Sequence, residues 1–481
     1  MTMSTRSKMT NSKNNDMISS LPDCLLFFIL SSFPFKEAAR TCLLSKRWLA
    51  MWRSSNVKNT QLQFPAAAAA AGEGSTFFVN FITNWIIEHK NLIEEKFSLT
   101  VSPPPNCGDV IGICVDFAIS NTAVKDLELD FHKPQWNYDE NENENENHDV
   151  MVELPKSFYN QINLQLKLES LKLYSCRFDP VDFANFHALT DLTLGWIPLN
   201  IQTLKTVLWI CKSSLRSLTL KRCWDLQHLR LGEETERLTR LVIEKCRFKI
   251  DYWCFEAPNL EYFKFCGNVG ISHIRVQLGK IEEADLDFGA LSEFFAYGFA
   301  MCRVLEDFRP ARVLTVCSVF LQLFPASRDG KPLHFHGGLA VRHLTVKTQL
   351  HRQELYGFMF LLTKCYVLEK LTIHLDKSCN VLSGYRAPDG VNLDMFWEKT
   401  KHPGCMKRLL KVVEIKGFMG TREQLNACHY FIKFGRVLKK LTITVLNEEN
   451  ENPAIVELRR NVALHLLDVP RTSKDLVIKI S

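Results

Sequence analysis

The chain has 481 residues, 46% apolar and 23% charged, a soluble globular balance that argues against wholesale disorder. Its longest clean apolar runs, residues 24–30 and 358–362, fall far short of the ~20 needed to cross a bilayer. The 59 basic and 53 acidic residues leave only +6, which calls for no nucleic-acid partner.

Residues 1–16 are polar and read as a disordered N-terminus with no secretory h-region, so neither export nor a membrane partner is expected. Residues 17–55 are dense in Leu, Phe, Ala and Trp at helical spacing. Ser20 is a candidate cap and Pro22 suits a first helical turn. Leu21, Leu25, Phe28 and Ile29 then form one apolar stripe, broadened by Leu26 and Leu30, and Pro34 ends that helix. The spacing predicts a second helix over 36–44, with Ala39, Cys42 and Leu43 inward, and a third carrying Trp48, Leu49 and Trp52. Such a unit holds more apolar surface than it can bury internally. The excess either caps a neighbouring core or docks another protein.

Residues 56–95 read as a linker and helix, with a loose Ala run at 66–71. From 96 to 375 one pattern returns, L-x-x-L-x-L, as at Leu168/Leu171/Leu173, Leu189/Leu192/Leu194, Leu215/Leu218/Leu220 and Leu238/Leu241/Ile243. Leu260/Phe263/Phe265 and Ile281/Ala284/Leu286 continue it, at start spacings of 21, 26, 23, 22 and 21 residues. The last two apolar positions are two apart, so in a strand they share a face. One short strand cannot bury that face; stacked copies can, and near-constant periods of this length mark a leucine-rich-repeat solenoid, an α/β fold. Weaker copies reach Leu410/Val413/Ile415 and Leu438/Leu441/Ile443. An insert at 139–149 has six acidic groups and no Lys or Arg, and reads as a disordered surface loop.

Three residues past the third apolar position stand Cys176, Cys223, Cys246 and Asn268, where small polar groups can satisfy a bend. The sixteen cysteines show no C-x-x-C spacing. They fit reduced structural thiols and a location in the cytoplasm, the nucleus or both.

The rhythm breaks over 376–403, a connecting segment. A strand at 410–415, a turn at Gly417 and Gly420, a helix over 422–434 and a strand at 438–445 then form a β–α–β unit, which implies parallel strands.

Two resemblances follow. Leu21-Pro22-Asp23, Leu25, Ile29-Leu30, Phe33-Pro34, Ala39 and Leu44-Ser45-Lys46-Arg47-Trp48 resemble an F-box over 17–55, with Cys24 and Phe27-Phe28 as departures. The resemblance implies three helices that bind a Skp-type adaptor through Leu21, Pro22, Leu25, Ile29, Leu30, Pro34, Leu44 and Trp48, and through the adaptor a cullin. V-V-E-I-K-G-F-x-G-T, Tyr430-Phe431, V-L-K-K-L-T-I and Pro470-Arg471-Thr472-Ser473 resemble an FBD domain, which implies a small α+β region over 404–481. Together they imply a non-catalytic substrate receptor of a ubiquitin ligase, with an unidentified protein target held by the repeats. The alternative is a repeat scaffold that assembles no ligase.

Catalytic signatures are missing: no G-x-S-x-G, no H-E-x-x-H and no Walker loop, since 72–76 lacks the phosphate-binding Lys. His334, His336, His343 and His351 lie close in sequence, but no Cys, Asp or Glu completes a metal set at usual spacing. No catalytic residue, cofactor or metal is expected. Lys221, Arg222, Lys245 and Arg247 recur just after neighbouring strands, as a solvated rim or the lining of an anion pocket.

Overall fold

The computed structural model describes Ile18 and residues 21–33, 40–54, 57–64, 93–101, 108–120, 124–132, 151–159, 168–178, 186–226, 229–248, 252–267, 273–288, 297–323, 335, 337–377, 382, 396–448 and 451–481. Several expectations fall outside these residues: the 1–16 tail, Ser20, Pro34, Ala39, the Ala run, 72–76, the acidic insert, Asn268, His334 and His336. The chain forms two compact units, one running to Leu168 apart from 149–151, the other from Glu169 to Ser481.

The first unit opens with helix α1, Asp23–Ser32. Pro22 is its N-cap, two residues after the expected cap Ser20, and extended Phe33 closes it just before Pro34. A short 3₁₀ turn, Thr41–Leu43, precedes helix α2, Lys46–Ser54, whose first turn is tied by Trp48 N–H donating to Ser45 Oγ at 3.3 Å. The stretch expected as linker instead starts a sheet. Strand β1, Val57–Phe64, runs parallel to β2, Ile93–Val101, and β2 to β3, Asp126–Asp130. The alternation Thr60, Leu62, Phe64 between Gln61 and Gln63 has the period of a strand. Helix α3, Gly108–Ser120, lies over β2, with Phe117 edge-on to Phe97 at 6.0 Å.

The second unit is the repeat array. Its strands are β4 Ser170–Tyr174, β5 Asp191–Gly195, β6 Ser217–Lys221, β7 Arg240–Glu244, β8 Tyr262–Gly267, β9 Glu283–Phe288, β10 Val313–Val316, β11 His343–Thr348, β12 Lys370–Leu375, β13 Val412–Phe418, β14 Lys440–Val445 and β15 Val477–Ile480. They pair in chain order and every pair is parallel. The register places like on like: Leu171 beside Leu192, Leu192 beside Leu218, Leu218 beside Leu241. Both inward columns are buried throughout, from Leu171 and Leu173 to Leu441 and Ile443. Sealing the core are helices α4 Ile201–Ile210, α5 Tyr297–Asp307, α6 Ser318–Leu323, α7 Arg352–Lys364 and α8 Arg422–Phe434, followed by α9 Pro453–Leu464. Stacked rings join helix to strand, Phe308 on Phe263 at 5.3 Å and Phe320 on Phe288 at 5.9 Å. A second parallel sheet, Leu229–Leu231, Tyr252–Ala257 and His273–Leu278, replaces helices over the middle copies.

A left-handed residue follows each of β4 to β7: Ser175, Trp196, Arg222 and Lys245, with φ of 54°, 50°, 50° and 50°. Each turns the chain out of the sheet while its N–H bonds a carbonyl at the end of the next strand: Gly195, Lys221, Glu244 and Cys266, at 2.5–3.0 Å. The next residue points inward: Cys176, Ile197, Cys223 and Cys246 are buried. The Cys223 thiol donates to the Leu194 carbonyl at 3.4 Å, satisfying a bend group as the repeat pattern suggested.

The β–α–β reading of the C-terminal segment is what the structure shows, and the sheet crosses residue 404 without a break. One detail differs: β13 continues through Gly417, which sits at a register shift with φ 79° rather than in the turn. An added Cβ there would stand 2.6 Å from the Leu375 carbonyl, so the bulge takes glycine. The described end of the connecting segment, 396–403, packs on α8: Trp397 Nε1 donates to Glu423 at 3.1 Å, and His402 Nδ1 lies 3.1 Å from the Tyr430 hydroxyl. Arg471 of the P-R-x-S ending donates to the carbonyls of Leu476 and Leu467.

Candidate functional site

Two surfaces could hold a partner: the helical head and the outward face of the repeat sheet. In the head, α1 is apolar on almost every side, so α2 decides which side turns inward. The α2 core residues Trp48 and Trp52, one helical turn apart, are 3% and 5% exposed, and Leu26 and Leu30, also a turn apart, are 0% and 3% exposed. Arg47 fixes this arrangement by bonding the Asp23 carboxylate at the start of α1 and the Leu21 carbonyl at 2.6 Å.

The inward stripe is therefore Leu26/Leu30, and the expected Leu21, Leu25, Phe28, Ile29 stripe faces elsewhere. Leu21 and Ile29 are half-buried, and Pro22, Leu25 and Phe28 are exposed. Leu43, expected inward, is 88% exposed because the 3₁₀ turn points it out, and Leu44 is 66% exposed. Of the residues that the resemblance puts at the adaptor, Pro22, Leu25 and Leu44 are at the surface, Leu30 and Trp48 are core, and Pro34 is outside the described residues. Phe28, Phe33 and Leu43 are exposed apolar groups that the resemblance did not put at the adaptor. Their one signal in the sequence is the excess of apolar residues over what so small a unit can bury.

The outward face of the repeat sheet is polar and carries charge in blocks. Arg240 lies over the Tyr262 ring at 3.8 Å, and Lys264 bonds Glu244. On β9, Glu283, Asp285 and Asp287 share the face; Lys347 reaches Asp285 at 3.3 Å and Asp287 at 2.9 Å. Burial works against the Lys347 charge, but these two carboxylates push its pKa well up. Lys370 bonds Glu414 at 3.1 Å. Partial burial opposes the Glu414 charge too, yet that bond, with Lys416 and Lys440 nearby, holds its pKa below the usual carboxylate range. Burial, with Lys370 close by, lowers the pKa of His343, whose Nε2 lies 3.0 Å from Thr372 Oγ1.

Lys221, Arg222, Lys245 and Arg247 stand at the same turn of neighbouring copies. Arg222 and Lys245 are the left-handed residues themselves, Lys245 and Arg247 are exposed, and Lys221 rests on Trp196 at 5.0 Å. Their backbone duty accounts for the position, and the arrangement is a rim. Among the described residues no group of three His, Cys, Asp or Glu could hold a metal, and no helix is long and apolar enough to cross a membrane. Buried thiols are unreactive by environment: burial pushes Cys211 and Cys317 up to about 12 and Cys405 up to about 11.

Residues 18–60 match the F-box domain, and residues 143–465 match the At1g61320/AtMIF1 leucine-rich-repeat domain. The putative F-box/LRR-repeat protein At5g54820 of Arabidopsis thaliana is 30% identical over 491 aligned residues, 97% of this chain and 98% of that protein. The putative F-box protein At3g29830 of the same plant is 29% identical, over 95% and 96% of the two chains. The Arabidopsis F-box/FBD/LRR-repeat protein At5g22700 is 26% identical over 57% of this chain and 59% of its own.

Proposed function

The chain belongs to the plant F-box/leucine-rich-repeat family, and from that premise we propose that it is the substrate-recognition subunit of a Skp adaptor–cullin–F-box ubiquitin ligase. The observation that carries this reading is the head. Its small core is closed by Leu26, Leu30, Trp48 and Trp52, yet Leu25, Phe28, Phe33, Leu43 and Leu44 remain exposed. Exposed apolar clusters on so small a module are what an interface uses, and large apolar anchors carry most of its energy. Pro22, Leu25 and Leu44 touch the adaptor directly, joined by Phe28 and Leu43. Leu21 and Ile29 flank them, the resemblance also assigns Pro34 to the contact, and Leu30 and Trp48 hold its shape.

The adaptor brings the cullin. The repeats hold a protein target, and tethering raises its effective concentration near a ubiquitin-loaded enzyme. On this reading the chain does no bond chemistry of its own. It works in the cytoplasm, the nucleus or both. Residues 404–481 are an FBD-like region that extends the target surface, supported by the strands they add to the repeat sheet.

The test is recovery of adaptor and cullin from plant extract by the full chain. Leu43→Asp/Leu44→Asp lies wholly on the exposed patch, so it loses both partners while the head stays folded. Trp48→Ala loses them too, by opening the head at about 3–5 kcal/mol. No adaptor with the unaltered chain, where a known F-box protein recovers it, refutes the proposal and leaves a repeat scaffold.

A further inference from the structure

Among the described residues, several charges on the repeat face are paired ahead of its C-terminal end. Lys264 meets Glu244, Lys347 meets two aspartates, and Arg342 meets Glu369 at 3.1 Å. On β13 to β15 the outward positions are Val412, Glu414, Lys416, Lys440, Thr442, Thr444, Val477 and Lys479. Lys411 and Lys439 stand at the entrances of β13 and β14, where their carbonyls receive the N–H groups of Lys439 and Val477. All five of these lysines are exposed. Glu414 is the single described carboxylate among them and is already bonded to Lys370. At the entry to β15, Lys474 and Asp475 offset one another.

We propose that the outward face of β13–β15 docks an acidic, extended peptide segment of the target protein. This rests on reading the repeats as the target-holding surface. The geometry suits such a partner. Parallel neighbours lie about 4.8 Å apart and residues along a strand about 3.3 Å; with Lys416 level with Thr444 and Lys479 level with Thr442, Lys479 stands roughly 8–12 Å from Lys440 and Lys416, which are roughly 14 Å apart, about the Debye length at 50 mM salt. Their potentials overlap at low salt, and each of the three strands presents one of these charges at a different level along the face. The charges are lysines, flexible point charges that attract carboxylates without imposing a bidentate geometry. No aromatic ring projects from these positions, so the face offers no stacking platform for nucleic-acid bases.

The experiment uses fluorescence anisotropy with the full chain and a fluorescein-labelled oligoglutamate, at about 50 mM salt, where exposed charges are least screened. Oligoglutamine and oligothymidine of equal length serve as comparators. Lys416→Gln/Lys440→Gln/Lys479→Gln should weaken oligoglutamate binding by about tenfold or more. The control, Arg216→Gln/Arg230→Gln/Arg237→Gln, removes as much charge from exposed sites elsewhere and should change binding less than about twofold. Three results would overturn the proposal: no binding by the unaltered chain, equal loss in both triple variants, or tighter binding of oligothymidine. Adaptor recovery is measured on the same proteins. Adaptor retained without peptide binding sinks this inference alone. Adaptor lost from the unaltered chain sinks the ligase reading instead.

Discussion

Gly357→Ala and Gly112→Ala are the same chemical change inside two helices, and they should act in opposite directions. Ala is the better helix former by about 1 kcal/mol, so propensity alone favours both. Around Gly112, in α3, a new Cβ would meet nothing within 4 Å. Gly357 lies where α7 crosses α6, and there the Cβ would stand 2.7 Å from the Leu321 carbonyl carbon and closer still to its oxygen. Ordinary contact begins near 3.4 Å, and the closer oxygen sets the requirement, so the helices would have to part by more than an ångström. The obstacle is backbone and cannot rotate away. It is also anchored, because Gln322 beside it bonds Ser318 and the Leu382 N–H. Overpacking of this kind costs about 1–3 kcal/mol and outweighs the propensity gain. Native-state amide exchange reads each helix separately. Exchange should speed up across 352–364 in Gly357→Ala, and slow across 108–120 in Gly112→Ala by a factor equivalent to about 0.5–1 kcal/mol. Unchanged or slower exchange across 352–364 would refute the argument.

Three further outcomes are expected. Arg222→Gly keeps the bond from its N–H to Glu244 and removes the left-handed strain, so it should raise stability by about 0.5–1 kcal/mol; Arg222→Val should lower it, both read by urea unfolding. Glu354 is fully buried with its carboxylate accepting the His351 N–H at 2.6 Å, and burial pushes its pKa up. Its folded pKa lies above its unfolded one, so the stability it contributes is full below the unfolded value and falls as pH rises through the folded value. Glu354→Gln should remove that decline, and parallel stability–pH curves for the two proteins would count against it. Iodoacetamide at mildly alkaline pH should alkylate exposed Cys24 and spare Cys211, Cys317 and Cys428, which burial pushes up to about 12; equal labelling by mass spectrometry would refute this.

The repeat sheet was legible because its signal is periodic and redundant. Each strand shows two inward residues at fixed spacing, and the register from β4 to β14 follows from stacking those columns. The first unit's sheet, opening at Val57, was missed because a single alternation carries that strand, with no neighbouring copy to reinforce it. In the head, identity was legible and orientation was not. Helix α1 offers Leu, Phe and Ile on all sides, and only contact with Trp48 and Trp52 picks out Leu26 and Leu30. The outward charges of β13–β15 were readable one by one, but their lack of matching carboxylates depends on strand order.

The left-handed turns after β4 to β7 have a consequence for how such arrays change length. In every one, the donor belongs to one copy and the acceptor to the next. Duplicating a whole copy therefore brings a donor and an acceptor together, and leaves no new backbone group unpaired inside the array. Cutting within a copy leaves one of them buried without a partner, at a cost of roughly 1–3 kcal/mol. Heritable change should accordingly arrive in whole copies, with copy number drifting between relatives while the turn within each copy stays the same.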